Sequence, residues 1–421
     1  MIDRTIAPRI TLPQYVKLPQ VGIRHTKNGI KLLSLDAGTQ SVIRLTVVFA
    51  AGTRHQSHPF LASAMLNMLS EGSEKYSSAR IAEILDFFGI YYDTNIDRDY
   101  SMVTISCLNR FLPQTLELLE QMLLHPVFDE NELRIYTAKR KQNIKIEREK
   151  PSFIAREEFS KALFGEEHPY GAASDEDLYD GLTGDLLMEQ YAKYYVASNC
   201  FAVTSGMVSE VELEMIEELL AKIPIGASIE DEAIGEPVSI REKYIPRKNA
   251  LQASIRIGRV LFPKNHPDYN GMQIVAMILG GYFGSRLVQN IREEKGYTYG
   301  IYAAMVTLKQ AGYFAVATDV AAEHSEDAVR EIFYEMDRLG SELVCDEELE
   351  VVRNTIVGEL MRLADGPFGV ADITIESEQC GKTNDSVNEF LEEVREITPL
   401  RIRELAAKYL SSESMTRVVV G

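Results

Sequence analysis

The chain has 421 residues, 45% of them hydrophobic and 25% charged, with a net charge of −19 from 63 acidic and 44 basic side chains. That balance excludes the disordered and fibrous classes, and the absence of a positive footprint excludes a nucleic-acid binder. No apolar run approaches the ~18 residues of a membrane-spanning helix.

In chain order, Met1-Ile2-Asp3-Arg4 has no basic head followed by an apolar stretch. A cytoplasmic location is expected, or a periplasmic one if a signal peptide has been removed. Runs dense in β-branched residues predict strands over Ile43–Ala50, Ser101–Cys107, Ala253–Ile257 and Gly312–Thr318. Helical runs are Phe60–Leu69, Ala79–Phe88, Leu112–Leu124, Glu130–Lys145, Ser325–Leu339 and Glu347–Leu363. Helices outnumber strands and come in blocks, which predicts an α+β fold with helices on one face of a mixed or antiparallel sheet. Cys107, Cys200, Cys345 and Cys380 form no CxxC pair and read as small buried hydrophobes in a reducing compartment.

The chain repeats itself. Thr183, Ala192, Lys193, Tyr194, Val203 and Gly206 recur as Thr398, Ala407, Lys408, Tyr409, Val418 and Gly421, a constant shift of 215 residues. Each copy reads as a Thr N-cap, a helix, a polar turn and a short strand. His58-Pro59 and His266-Pro267, 208 residues apart, each open an apolar helical run. Two shifts near half the chain length indicate two homologous duplicated domains. The stretch Ile223–Lys243, rich in Gly, Pro and acids, sets the expected division at 1–225 and 226–421.

Three stretches carry a resemblance: LTVVFAAGTRHQSHPFLASAMLNMLSEGS (45–73), LFGEEHPYG (163–171) and LGGYFGSRLVQNIREEKGYTY (279–299). Together they resemble the insulinase, or pitrilysin, family of inverted-motif zinc peptidases. The resemblance implies two domains arranged as a clamshell. It also implies a helix bearing HxxEH, whose two His bind zinc while the Glu serves as general base. Here the matching positions are Ser63, Leu66 and Asn67, and the window for the third ligand, Tyr136–Ile146, holds no acid. Serine and asparagine are poor zinc ligands and leucine accepts no proton, so no metal is expected in this chain and no hydrolysis by it alone. His55 and His58 read as a solvated loop. His125, His168, His266 and His324 read as turn or capping residues. The turn at Gly280–Gly284 lacks the Lys-Ser/Thr of a phosphate loop and reads as a tight connection between helices.

In the family, an Arg and a Tyr seven positions apart in the second domain hold the substrate backbone. Arg292 and Tyr299 keep that spacing within REEKGYTY. A guanidinium and a phenol both donate to a carbonyl oxygen that gains charge. The resemblance therefore implies the non-catalytic subunit of a two-chain peptidase, like the alpha subunit of the mitochondrial processing peptidase. Such a chain lends Arg292 and Tyr299 to a zinc-bearing homologue, and zinc belongs to that partner only. The acidic balance suits a basic peptide substrate or serves solubility alone. A homodimer, a structural or scaffolding subunit, and a peptide-binding module without hydrolysis stay open as alternatives.

Overall fold

The computed structural model describes residues 13–171, 175–227, 229 and 233–421. The first half contains β1 (Gly22–His25), β2 (Lys31–Asp36), β3 (Val42–Phe49), α1 (Leu61–Met68), α2 (Ser78–Phe88), β4 (Tyr91–Ile96) and β5 (Ser101–Leu108). It continues with α3 (Leu112–Leu124), α4 (Glu130–Glu147), α5 (Pro151–Phe164), α6 (Gly184–Tyr194), β6 (Cys200–Gly206) and α7 (Glu210–Leu220). The second half contains β7 (Glu242–Ile245), β8 (Gln252–Leu261), α8 (Tyr269–Ala276), β9 (Thr298–Thr307) and β10 (Gly312–Ala321). There follow α9 (Ser325–Ser341), α10 (Asp346–Leu363), α11 (Pro367–Gln379), α12 (Ser386–Glu396), α13 (Pro399–Tyr409) and β11 (Thr416–Val420).

The duplication is written into the sheets. The first has the order β1-β2-β6-β3-β5-β4, and the second β7-β11-β8-β10-β9. Without β1 the orders coincide, and in each the sole parallel pair, β2 with β6 or β7 with β11, lies in the same place. Val203 stands opposite Leu33 and Thr46, and Val418, 215 residues on, stands opposite Lys243 and Arg256. Local chemistry repeats as well. The hydroxyl of Thr183 accepts from the N–H of Leu186 at 3.2 Å and that of Thr398 from the N–H of Arg401 at 3.2 Å. Each satisfies one orphan donor at a helix start, worth about 1 kcal/mol.

Both sheets are covered on both faces, and this explains why β3 reads as an unbroken apolar run rather than an alternation. Ile43, Leu45, Val47 and Phe49 face a core closed by helices of their own half. Val48 faces the other way, into a cluster with Leu33, Leu35 and Val203 that is capped by Val370, Ala371 and Ile375 of α11. Reciprocally, Ala155, Phe159 and Ala162 of α5 pack with Val418 and Val420 of β11. The two halves thus exchange helices, α5 onto the second sheet and α11 onto the first. Both begin with proline, 216 residues apart, at the position where a missing N–H costs nothing.

The predicted helix Leu112–Leu124 has those bounds, and the other predicted elements lie within two residues of theirs, except that β8 and β10 run on past their predicted ends. The cysteines differ from expectation, because only Cys107 is buried and Cys345 is exposed at the start of α10. Among the described residues no helix is long and apolar enough to cross a membrane.

Candidate functional site

Ser63, Leu66 and Asn67 lie on α1, which follows a left-handed residue, Phe60 at φ 66°. A non-glycine residue there is strained. Its ring is held by stacking on Tyr179, with centroids 4.3 Å apart and planes 5° from parallel. Ser63 donates to the Phe60 carbonyl at 2.9 Å, and the Asn67 amide donates to the Ser63 carbonyl at 2.6 Å. Both polar side chains are therefore spent on their own helix. Leu66 is buried in the core. Across from them, α4 offers Tyr136 beside Asn67, and Arg140, which reaches the Tyr179 hydroxyl at 3.5 Å. Tyr136 packs edge-on to Tyr179, and burial pushes its phenol well above the ordinary range.

These residues do not fit zinc: a hydroxyl, an amide, a phenol and a guanidinium offer neither imidazole, thiolate nor carboxylate. Among the described residues no three His, Cys, Asp or Glu side chains are grouped to hold a metal. In the second half the positions equivalent to Ser63, Leu66 and Asn67 are Gly271, Ile274 and Val275, all buried on α8. That copy is plain core. His55, read from sequence as solvated, is half-buried with its ring 5.6 Å from that of Tyr194. His168 and His266 do close turns, each accepting at Nδ1 from a backbone N–H two residues on, both at 3.0 Å.

Arg292 and Tyr299 occupy a different environment. Arg292 sits in a π-helical segment, Val288–Glu294, with its guanidinium 4.9 Å from the ring centre of Phe283. The segment ends at Gly296, whose φ of +66° only glycine adopts freely, and the chain turns from there into β9. At the start of β9 the register slips: Thr298 pairs with Val320 and Ile301 with Thr318, so Tyr299 and Gly300 together face Asp319. Such a bulge re-aims side chains. The Thr298 hydroxyl clamps it, reaching the carbonyls of Gly300 at 2.9 Å and Asp319 at 2.7 Å. Tyr299 is thrown outward, 94% exposed, on the open edge strand of the sheet.

The expected tight connection at Gly280–Gly284 is a turn with a second purpose. A Cβ on Gly280 would stand 2.6 Å from the backbone nitrogen of Ala303, so glycine lets the helix end press onto β9. The same turn carries Phe283, 63% exposed beneath Arg292, which sequence reasoning missed. Nothing local marks it except an aromatic in a glycine turn. Among the described residues no hydrogen bond or ion pair joins the α1 positions to Arg292 or Tyr299.

Two family models match the chain, one described as insulinase (peptidase family M16) over residues 31–170 and one as peptidase M16 inactive domain over residues 181–356. The chain belongs to the insulinase family. Within that family it is 21% identical to the zinc protease YmxG of Bacillus subtilis, over 92% of this chain and 95% of the relative. It is 25% identical to the mitochondrial-processing peptidase subunit alpha of Solanum tuberosum, over 52% of this chain and 44% of that one. The fold matches a crystal structure of a peptidase M16 inactive domain from Pseudomonas fluorescens, with a TM-score of 0.88 and 22% identity, covering 95% of this chain and 98% of the other. Against that family background, HxxEH is replaced here by Ser63, Leu66 and Asn67.

Proposed function

We propose that this chain is the non-hydrolysing subunit of a heteromeric zinc peptidase. It closes the substrate chamber beside a homologue carrying HxxEH, and holds the peptide backbone with Arg292 and Tyr299. The observation that carries this reading is Tyr299, set 94% exposed on a clamped bulge with no bond to the rest of the chain. A large aromatic in water makes no contribution to the fold, so its use lies outside the chain. Arg292, steadied over Phe283 but only half-covered, is poised beside it to donate to a carbonyl oxygen.

The metal step belongs to the partner, because α1 and α4 offer no ligand set. An extended peptide suits the free edges of β4 and β9, where unpaired backbone groups accept a further strand. The net charge of −19 favours a basic peptide.

The test is a pull-down of the tagged chain from its native extract with cleavage and zinc assays on what is recovered. Co-purification of an HxxEH homologue, with cleavage only when both chains are present, supports the proposal. Assembly without cleavage would move the reading to a scaffolding subunit. Salt-sensitive binding of basic peptides by the chain alone would move it to a peptide-binding module.

A further inference from the structure

The two halves meet at their hairpin tips. The tip between β4 and β5 (Asp97–Tyr100) touches the tip between β9 and β10 (308–311), where the backbone N–H of Lys309 donates to Asp99 Oδ2 at 2.9 Å. Beside this junction, against the last turn of α11, lies a cavity of about 480 Å³. That is the size of a small-molecule site.

The polar groups on its wall divide into spent acceptors and unspent donors. Asp99 is neutralised by Arg54 at 2.7 Å, and Glu376 by Lys264 at 2.6 Å. Asp97 accepts from the N–H groups of Asp99 and Tyr100, both at 2.7 Å. The donors are less well matched. Arg98 donates to the Ser160 hydroxyl at 3.2 Å and makes no ion pair among the described residues. Burial lowers its pKa, as expected for a cation short of counter-charge. Gln379 Nε2 and Thr53 Oγ1 are shut off from solvent and have no hydrogen-bond partner in the chain. Buried polar groups are nearly always satisfied, and an orphan pair on one cavity wall asks for an explanation. The Lys309 ammonium lies on the same wall, 5.8 Å from the centre of the Tyr100 ring.

We infer that this cavity binds a small anion, through a carboxylate or phosphate group held by Arg98 and Thr53 from the first half and Gln379 from the second. Such a ligand supplies acceptor oxygens to all three donors at once and bridges the hairpin of one half to the exchanged helix of the other. The site is separate from Arg292 and Tyr299 and does not depend on the peptidase reading. By linkage, a ligand that binds only the joined halves raises the stability of the whole chain.

The test uses the full chain, titrated with sodium phosphate and separately with sodium acetate at constant ionic strength set by chloride. Thermal unfolding and titration calorimetry are the readouts. The expected result is a saturable rise in Tm with at least one anion. A response to phosphate alone assigns a phosphoryl ligand, and one to acetate alone assigns a carboxylate. Arg98→Gln should weaken binding at least about tenfold and Gln379→Leu by several-fold, each with native circular dichroism. If Arg98→Gln does not fold, Gln379→Leu carries the test. No saturable response to either anion, or an equal response in the folded variants, overturns the inference.

Discussion

Asp99 of the first half and Lys309 of the second are joined by a 2.9 Å hydrogen bond, while Arg54 holds the other oxygen of the same carboxylate at 2.7 Å. The Arg54 and Asp99 side chains are each only 4% exposed. Removing one partner of a buried pair leaves an uncompensated charge, so Asp99→Ala should cost about 3–5 kcal/mol. Urea unfolding of the variant measures it. A loss below about 1 kcal/mol would mean that solvent reaches the pair.

Asp268 anchors α13 to α8 by accepting from Arg401 at 2.5 Å, Lys408 at 2.9 Å and the Tyr409 hydroxyl at 2.5 Å. Burial alone would raise its pKa, but these three donors override that and hold it down at about 2. The folded value lies below the unfolded one, near 3.9, so the group stabilises the fold fully above that pH. The contribution is lost as pH falls toward 2. Asp268→Asn should therefore be less stable than the parent at neutral pH by about 2 kcal/mol, with the gap closing between pH 4 and pH 2. A gap independent of pH across that window would assign the effect to shape instead of charge.

Rebuilding the motif by Ser63→His, Leu66→Glu and Asn67→His should not restore zinc. Tyr136 and Arg140 stand where a third ligand is needed, and two imidazoles seldom hold the metal alone. Equilibrium dialysis with metal analysis should find the triple variant essentially zinc-free. Adding Tyr136→Glu should raise occupancy toward one per chain. Stoichiometric zinc in the triple variant would show that α4 is not the obstacle.

In the reconstituted two-chain enzyme, Arg292→Ala should lower turnover by about 10²-fold, the usual loss on removing one donor to a developing oxyanion. Tyr299→Phe keeps the ring and removes only the phenolic hydrogen, so a similar drop would assign the effect to donation. Assembly, followed by size-exclusion chromatography, should be unaffected in both. Unchanged turnover in both variants would leave the pair without a catalytic part.

Much of this architecture was legible in the chain. Thr183 and Thr398 announce the repeat because a cap must be a short polar residue, and its position fixes the helix that follows. The loss of HxxEH is equally plain, since ligand chemistry depends on residue type. What hid from the sequence depends on tertiary context. Phe60 carries no sign of its left-handed backbone, which stacking on Tyr179 imposes. The bulge at Tyr299 leaves only Gly300 as a clue, because register is set by the neighbouring strand. Pro151 and Pro367 mark two helix starts at matching positions, yet nothing in either helix says which sheet it will cover.

That exchange of α5 and α11 bears on how the chain is made. A ribosome releases the first half long before α11, so one face of the first sheet, with Leu33, Leu35, Val48 and Val203, emerges with its cover still untranslated. The helix α5 is released just as early and waits for β8 and β11. Neither half can finish on its own. The nascent chain therefore passes through a stage with two apolar surfaces open at once, and the last strand to leave the ribosome, β11, completes the seat of α5.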